Sequence, residues 1–416
     1  MARVPAAPLL ALAAAAAVAV AAAAAPPAPP PLVGSWARHP NALPTLQLAQ
    51  VPLLGNGRLG VALDAHDDGH AAFPLLGAGQ PNSLDLWINT IGLWSCTSCG
   101  ATDPDGTVPA CCSTVALGGL SLRASGAAPG AFPGFSATQA IANGALAAAL
   151  ATAGGGALSV TVRMHPSRAV LVANVTWLPA AGDPPALDVD VAVWTLGAGA
   201  LAGSWTTGTP APWRTGCADA TTLAPVGCPA PPASLASSQQ PPLVFASRNA
   251  STVDAGVMPV AAALAAGVQL GAGAALLGAA TRNAAPAYPP TLPFETALSV
   301  RLPAGGWAAA VVAEAEARGP GLADPVPAAL ALAAAALAEP PGALAAAADG
   351  WWAGFWAKSA VSLPGWPAVE AAWYGAQYAL ACTSATTASD DIPAPGLYGV
   401  WVTADGPNWH GDYTLE

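Results

Sequence analysis

Apolar and polar residues alternate with a period of two in several short segments between Trp36 and Arg318. LSVTVRM at residues 158–164 and LDVDVAVW at residues 187–194 show the alternation most clearly. This period is typical of a β-strand that is buried on one face only. Turn residues separate the segments, so we predict a large β-sandwich over residues 34–318. The predicted strands are residues 60–63, 84–89, 158–164, 169–178, 187–195, 243–246, 296–302 and 306–313.

Two alanine-rich segments within this region do not discriminate between helix and strand. Residues 137–153 and 260–280 have the composition of helices, because alanine has the highest helix propensity. Alanine is also compatible with strands and loops, so both segments are ambiguous.

The pattern becomes helical after residue 320. Residues 328–337 and 342–357 are rich in alanine, and Pro340 and Pro341 between them indicate a turn that joins two helices. We therefore predict a helical linker over residues 319–360.

A third helix is indicated at residues 366–382, WPAVEAAWYGAQYALAC. Trp366, Glu370, Trp373 and Gln377 recur there at helical spacing. This helix brings a carboxylate and an amide among aromatic side chains.

Tryptophan is concentrated near the end of the chain. Flat indole faces stack on sugar rings, and neighbouring Asp, Asn and His side chains bind hydroxyl groups directionally. The helical tryptophans have an alternative role as packing residues of a helical core. Seven of the 15 tryptophans lie between residues 351 and 416: Trp351, Trp352, Trp356, Trp366, Trp373, Trp401 and Trp409. The candidate sugar-binding residues are Trp401, Asn408, Trp409, His410, Asp412 and Tyr413.

Charge limits the classes of partner. Only 8% of the residues are charged, with 12 basic against 23 acidic and a net charge of −11. Nucleic-acid binding requires clustered Lys and Arg, whereas the arginines here are scattered, so we expect no nucleic-acid partner.

The first 25 residues have the pattern of a secretory signal peptide. Arg3 precedes a long apolar run, and Ala23-x-Ala25 comes directly before Pro26. An uncleaved anchor or a low-complexity tail is the alternative interpretation. We predict a signal peptide at residues 1–25, a proline-rich linker at 26–33, and a secreted chain in the extracellular space or the lumen of the secretory pathway. After cleavage we expect no membrane association.

The cysteines fit an oxidising compartment. Six precede residue 230, and we expect them to form disulfides. A zinc site is compatible with the C-x-x-C and Cys-Cys spacing, but secretion favours disulfides, so we expect no metal there. Cys217 and Cys228 bracket a short loop and form the first expected pair, whereas Cys382 has apolar neighbours and is expected to be a buried free thiol. The expected disulfide cysteines are Cys96, Cys99, Cys111, Cys112, Cys217 and Cys228.

Two sequons fit a secreted chain. Asn174 and Asn249 each begin an Asn-x-Ser/Thr triplet, and we predict glycosylation at both.

Several motifs of other functional classes are incomplete or absent from the sequence. Gly55, Gly57 and Gly60 in LLGNGRLG match the dinucleotide fingerprint formally, but a strand-like segment follows where that site needs a helix. We interpret Asn56-Gly57 as a tight hairpin turn with positive φ. The segment LDAHDDGH, residues 63–70, lacks the ligand spacing of a calcium loop and is interpreted as a solvated turn. No HExxH or Gly-x-Ser-x-Gly motif occurs, and we expect no cofactor.

Five segments, in order along the chain, resemble glycoside hydrolase family 95 and its relatives, the α-L-fucosidase-like six-hairpin glycosidases. The first two resemble the opening of the family, and the last three resemble its linker helices, first barrel helix and following loop. The residues between them match poorly. The segments are PLLGNGRLG, LWINTIGLW, WWAGFWAKSAVSLPG, VEAAWYGAQYALAC and PGLYGVWVTADGPNWHGDYTL.

This resemblance implies an N-terminal β-supersandwich, a helical linker and an (α/α)6 barrel, of which residues 361–416 are the first part. It also implies an inverting glycosidase, in which one carboxylic acid protonates the leaving oxygen and a base activates water. The resemblance places the catalytic groups beyond Glu416, so we expect little or no hydrolysis by these 416 residues. The expected partner is an oligosaccharide or polysaccharide. A non-catalytic carbohydrate-binding or wall-associated glycoprotein and a phosphorylase on the same architecture are the alternatives.

Overall fold

The structure is a computed structural model of the 416-residue chain. It describes residues 32–37, 51–64, 82–98, 110–128, 130–195, 213–226, 228, 242–250, 260–283, 294–319, 322–384 and 399–401. The expected signal peptide, most of the proline-rich linker and the 65–70 part of the LDAHDDGH segment lie outside these residues.

Antiparallel β-strands make up most of the described chain. They form a ten-stranded sheet in the order β1-β8-β9-β10-β11-β19-β16-β15-β13-β14, a seven-stranded sheet in the order β17-β18-β12-β7-β4-β3-β2, and the pair β5-β6. The strands are β1 Val33–Trp36, β2 Leu53–Gly55, β3 Leu59–Asp64, β4 Ser83–Thr90, β5 Trp94–Ser98, β6 Ala110–Thr114, β7 Gly118–Ala124, β8 Gly134–Ala140, β9 Ala145–Ala151, β10 Ala157–Met164, β11 Val170–Leu178, β12 Ala186–Thr195, β13 Trp213–Ala218, β14 Pro225–Val226, β15 Leu243–Ala250, β16 Val260–Leu270, β17 Ala275–Asn283, β18 Phe294–Pro303 and β19 Trp307–Arg318.

The main core contains the apolar side chains of both large sheets. In β10, residues alternate between half-buried and buried, and the buried set includes Leu158, Val160 and Val162. Trp177 of β11 is fully buried in the same core. The period-2 prediction of a large β domain is therefore confirmed as mostly antiparallel sheet, in which alternate side chains of strands such as β10 are buried in the core.

Both ambiguous alanine-rich segments are strands. Residues 137–153 contain part of β8 and all of β9, and residues 260–280 contain β16 and the start of β17. The short alanine side chains of β16 are buried on both faces, with Ala262 in the main core and Ala263 in a second core. Tertiary burial between neighbouring strands overrides the helix propensity of alanine here.

Three helices follow the strands in the described chain. They are α1 Val326–Leu337, α2 Ala343–Trp356 and α3 Pro367–Thr383. The α1 side chains Ala329, Leu330 and Ala333 form the second core with the outer face of the ten-stranded sheet. These bounds agree with the three predicted helices to within two residues at either end. None of the described helices is long and apolar enough to span a membrane.

Cysteine placement agrees in part with the sequence expectation. Cys217 and Cys228 form a disulfide, and Cys382 is a buried free thiol, as predicted. Cys96 of β5 lies opposite Cys112 of β6 in the backbone register, whereas Cys99 lies outside the described residues.

Candidate functional site

The LLGNGRLG segment forms a hairpin turn between β2 and β3. The backbone N–H of Asn56 donates to the carbonyl of Leu59 over 3.2 Å, and the Asn56 side-chain oxygen accepts from the N–H groups of Arg58 and Leu59. Gly57 has φ of 81°, which is in the left-handed region. The structure thus has a hairpin where the dinucleotide fingerprint would require a strand followed by a helix.

The other two glycines of this segment allow close backbone contact with the C-terminal part of the described chain. A Cβ on Gly55 would lie 2.4 Å from the carbonyl oxygen of Cys382, and one on Gly60 would lie 2.1 Å from that of Val400. Our interpretation of the glycines as turn residues therefore holds for Gly57, whereas Gly55 and Gly60 are required by packing. We call this contact region, between the hairpin and residues 382 and 399–401, the seam.

Hydrogen bonds of side chains to the β2 backbone hold the seam together. The Tyr378 hydroxyl donates to the Leu53 carbonyl over 3.0 Å, and the Trp401 indole N–H donates to the Leu54 carbonyl over 2.7 Å. These bonds tie α3 and the segment after it to a strand near the start of the β domain.

Stacked aromatic rings support the seam from α2. Trp352 stacks on Tyr378 with ring centroids 5.0 Å apart and on Trp356 with centroids 5.8 Å apart. The Trp356 indole N–H donates to the carbonyl of Ile141. Trp352 and Trp356 are buried, which agrees with the alternative that helical tryptophans are packing residues.

Burial changes the acid–base behaviour of the groups at the seam. Burial raises the pKa of Cys382 to about 12, so the thiol stays protonated and unreactive at neutral pH. It also raises the pKa of Tyr378 well above its ordinary value. Both side chains therefore act as neutral structural groups.

A cluster of charged side chains lies beside the hairpin turn. Arg58 Nε is 3.2 Å from Glu314 Oε2, and Arg58 also approaches Glu316, with 3.7 Å between Nη2 and Oε1. Arg318 Nη2 is 2.8 Å from Glu316 Oε1. The carboxylates of Glu314 and Glu316 in β19 thus lie between two guanidinium groups, that of Arg318 in β19 and that of Arg58 in the turn.

Glu314 is the fully enclosed member of this cluster. Its side chain has no exposed surface, and burial raises its pKa to about 7, against the opposing effect of the positive charge of Arg58. A carboxyl group with this pKa exchanges protons near neutral pH. Because the group is enclosed and bonded to Arg58, its role in this arrangement is to hold the turn.

Sequence reasoning did not identify this cluster, although a signal for it exists. Glu314, Glu316 and Arg318 are spaced two apart at the end of a strand of small apolar residues. In a strand, this spacing puts all three on one face. Their partner Arg58 is remote in sequence, so their pairing depends on the fold.

The predicted sugar-binding residues are described only at Trp401. Its indole is partly buried against the aromatic cluster, which contains Trp352, Trp356, Tyr374 and Tyr378. Its N–H is bonded to the Leu54 carbonyl. Residues 402–416 are outside the part of the chain that the structure describes, and they include Asn408, Trp409, His410, Asp412 and Tyr413.

The α3 carboxylate has a structural partner. Glu370 Oε2 accepts a hydrogen bond from the backbone N–H of Leu363, in the loop before the helix. Among the described residues, no group of three His, Cys, Asp or Glu side chains is arranged to hold a metal ion.

Comparison with known proteins supports the architecture. No protein-family model matches the chain, and no curated protein sequence matches it. One matching solved structure is described as "Putative kojibiose phosphorylase from human microbiome", with 11% identity and a TM-score of 0.54. The match covers 93% of this chain and 45% of that chain, so this chain spans less than half the length of its structural neighbour. At this identity the likeness shows a shared fold alone.

Proposed function

We propose that this chain acts on or binds extracellular carbohydrate, with the architecture of the inverting glycosidases. The observation that carries the proposal is the structural match over 93% of the chain to a protein described as a kojibiose phosphorylase. The finer assignment, to the α-L-fucosidase-like members of glycoside hydrolase family 95, is supported by the five ordered segments that resemble that group.

Trp401 connects the seam to the proposed sugar-binding segment. Its indole N–H is already bonded to the Leu54 carbonyl, so a glycan would interact with it through the ring face. The side chains that we propose to bind hydroxyl groups follow within the next twelve residues, from Asn408 to Tyr413. In this proposal, the seam sets the position from which residues 402–416 meet the glycan.

In this proposal, Glu314 and Glu316 near the seam are not the acid and base of an inverting glycosidase. Inverting hydrolysis needs an acid and a base about 6.5 to 9.5 Å apart, with room for water between them. Glu314 is enclosed, and both Glu314 and Glu316 are paired with arginine. We therefore propose that these groups support the site and that turnover by the 416-residue chain is low.

The proposal includes a secreted chain with three parts. These are a β domain at residues 34–318, a helical linker at 319–360 and a partial (α/α)6 barrel at 361–416, after a signal peptide at 1–25 and a linker at 26–33. The Cys217–Cys228 disulfide supports an oxidising compartment. Glycosylation at Asn174 and Asn249 belongs to the same proposal.

Glycan binding and turnover are measured together to test the proposal. The purified chain is titrated with a panel of plant and microbial oligosaccharides by calorimetry, and aryl glycosides are offered in parallel. We expect saturable binding that falls at least tenfold in Trp409→Ala and His410→Ala, with little hydrolysis. Trp366→Ala is the matched control, since Trp366 is exposed next to the start of α3 and is not one of the proposed sugar-binding residues. Absence of both binding and turnover across the panel would contradict the carbohydrate function.

A phosphorylase is the second candidate, favoured by the description of the structural neighbour. The same aryl glycosides are offered with and without inorganic phosphate. Cleavage that depends on phosphate and yields a sugar phosphate selects the phosphorylase, whereas robust cleavage in its absence selects a hydrolase. Binding without cleavage in either condition selects the non-catalytic carbohydrate-binding protein.

A further inference from the structure

A cavity of about 220 Å3 lies between the outer face of the ten-stranded sheet and the turn that joins α1 to α2. Its sheet side contains Asn174 and Thr176 of β11, Gln269 of β16 and Trp307 of β19. Pro340 and neighbouring residues of the turn form the other side. None of its described lining residues belongs to the seam.

Two polar side chains face this cavity without partners in the described chain. Asn174 and Thr176 are two residues apart in β11, are half-buried and lie on the same face of the sheet. No hydrogen bond joins the Asn174 carboxamide or the Thr176 hydroxyl to another described residue. A half-buried polar group without a protein partner is satisfied by water or by a ligand.

Gln269 adds a fixed polar group. Its Nε2 donates to the carbonyls of Leu337 and Glu339 over 2.6 and 2.9 Å, which ties the carboxamide to the end of α1. The Oε1 atom remains as an acceptor. One hydroxyl and two carboxamides, from Thr176, Asn174 and Gln269, therefore border the cavity and provide it with hydrogen-bond donors and acceptors.

Trp307 supplies the aromatic surface. It lies directly opposite Thr176 in the β11–β19 register. A Cβ on Gly271 would lie 2.5 Å from the Trp307 Nε1 atom, so the absence of a side chain at Gly271 allows the indole to occupy this position. The ring is thus held beside the unpartnered hydroxyl.

We propose that this cavity binds one pyranose ring of a carbohydrate. An aromatic face beside hydroxyl and carboxamide groups has the chemistry that recognises a sugar, since the ring stacks on the indole while its hydroxyls exchange hydrogen bonds. The volume is below the about 300 to 1,000 Å3 typical of small-molecule sites, which suits one sugar ring rather than an oligosaccharide. This site is additional to the proposed sugar-binding segment and does not depend on it.

The sugar has two sources with the same chemistry. One is the end of a free glycan, and the other is a sugar attached to Asn174, which begins the sequon Asn174-Val175-Thr176. In the second case the oligosaccharide comes from a lipid-linked pyrophosphate donor. The bond from the amide nitrogen to the sugar C1 forms, the bond from C1 to the phosphate oxygen breaks, and the amide nitrogen loses a proton.

The first experiment uses the full chain from a host that does not glycosylate asparagine. Binding of methyl β-glucopyranoside and of N-acetylglucosamine is measured by saturation-transfer NMR. We expect saturable binding of at least one probe, weakened at least tenfold in Thr176→Val, which removes the hydroxyl and keeps the branched shape. Thr138→Val is the matched control, because Thr138 is exposed on β8 in the same sheet and lies outside the cavity. If Thr176→Val and Thr138→Val bind the probes equally well, the binding does not occur in this cavity.

The second experiment uses the chain from a glycosylating host. The Asn174 peptide is analysed by mass spectrometry, and release of the attached sugar by a peptide-N-glycosidase is timed on folded protein. We expect release from the wild type to be at least tenfold slower than from Trp307→Ala, because the cavity encloses the first sugar. Thr176→Ser retains both the sequon and the hydroxyl and is expected to behave like the wild type. Trp307→Phe, which keeps an aromatic ring, is expected to lie between them.

The two experiments together decide the proposal. Urea unfolding of each variant identifies changes that arise from loss of folding rather than loss of the cavity. Cavity-dependent binding in the first experiment, or protected sugar at Asn174 in the second, supports the pyranose site and identifies its source. If no probe binds and Asn174 is either unmodified or trimmed equally fast in wild type and Trp307→Ala, the proposal is wrong.

Discussion

The backbone N–H of Gly57 donates a hydrogen bond of 2.7 Å to the carbonyl oxygen of Cys382. It joins the β2–β3 hairpin near the start of the β domain to the last turn of α3. The same carbonyl is the nearest atom to the position that a Cβ on Gly55 would occupy. Hairpin and helix therefore meet backbone to backbone, and the seam tolerates little added volume.

Gly60→Ala is expected to destabilise the protein. The new methyl group would lie 2.1 Å from the Val400 carbonyl oxygen, and a backbone atom can yield only if the seam opens. Overpacking of this kind costs about 1–3 kcal/mol and at times more. Urea unfolding and limited proteolysis after residue 384 measure the effect. Gly375→Ala in α3 is the control: nothing lies within 4 Å of its Cβ position, so it should be neutral or stabilising by up to about 1 kcal/mol. Equal stability of the two variants would contradict the packing role of Gly60.

Trp352→Ala is expected to cost about 3–5 kcal/mol of unfolding free energy, because it leaves a large cavity among stacked rings. Trp352 is 5% exposed, whereas Trp366 is 69% exposed. Trp366→Ala should therefore change stability by no more than about 0.5 kcal/mol. Urea midpoints of the two variants measure the difference. Similar losses at both positions would show that the aromatic cluster does not carry the stability of this region.

Glu314 should make stability fall as pH rises. Burial raises its pKa from 4.5 to about 7 in the folded chain, so the folded state holds the proton more tightly than the unfolded state. Its contribution is fully present below about pH 4.5 and is lost as pH rises through about 7, by on the order of 1–3 kcal/mol. Glu314→Gln should remove this fall.

Urea unfolding of wild type and Glu314→Gln at pH 5 and pH 8 checks the prediction. The His165 pKa is lowered by burial and by Arg168, so His165 makes stability rise with pH in part of the same window. Because both proteins contain His165, its effect cancels in the difference between them. Parallel pH dependences would contradict the role assigned to Glu314.

Cys382 is expected to resist alkylation in the folded chain. The thiol is buried and its pKa is raised to about 12, so the reactive thiolate is scarce. Iodoacetamide should label it only after urea unfolding, while Cys217 and Cys228 remain linked unless a reductant is added. Mass spectrometry of the labelled peptides measures both. Rapid labelling of Cys382 under native conditions would mean that the seam opens readily.

The pairing of the remaining cysteines is predicted from backbone register. Cys96 lies opposite Cys112, and directly opposite residues in antiparallel strands have Cα atoms about 4.5–5.5 Å apart, as a disulfide requires. The register predicts Cys96–Cys112, and this pairing leaves Cys99 and Cys111 to form the other disulfide. Non-reducing peptide mapping distinguishes this from a Cys96–Cys99 or a vicinal Cys111–Cys112 linkage, and either of those would contradict it.

Local pattern was sufficient for eight of the 19 described strands and for all three described helices. LSVTVRM became β10, and the aromatic and carboxylate spacing around Glu370 and Trp373 became α3. It left β9 and β16 ambiguous, because their runs of alanine have helix propensity, yet both pair with neighbouring strands in the sheet. In these two strands, the environment of the side chains decides the conformation.

Chemical composition and residue spacing alone indicated a β-rich chain with a helical end, a free buried Cys382 and a Cys217–Cys228 disulfide. They also put an aromatic and hydrogen-bonding segment after Trp401. These features can be predicted because each depends on residues that are close together in the sequence: the period of apolar residues, a short loop between two cysteines, or the residue types of one segment.

Only the tertiary structure brought Gly57 to Cys382, Arg58 to Glu314 and Thr176 to Trp307. Each pair joins residues remote in sequence, and neither partner carries a local signal for the other. Their contact depends on the order of strands in two sheets and on the docking of α3, because burial and close approach are properties of the whole packed chain.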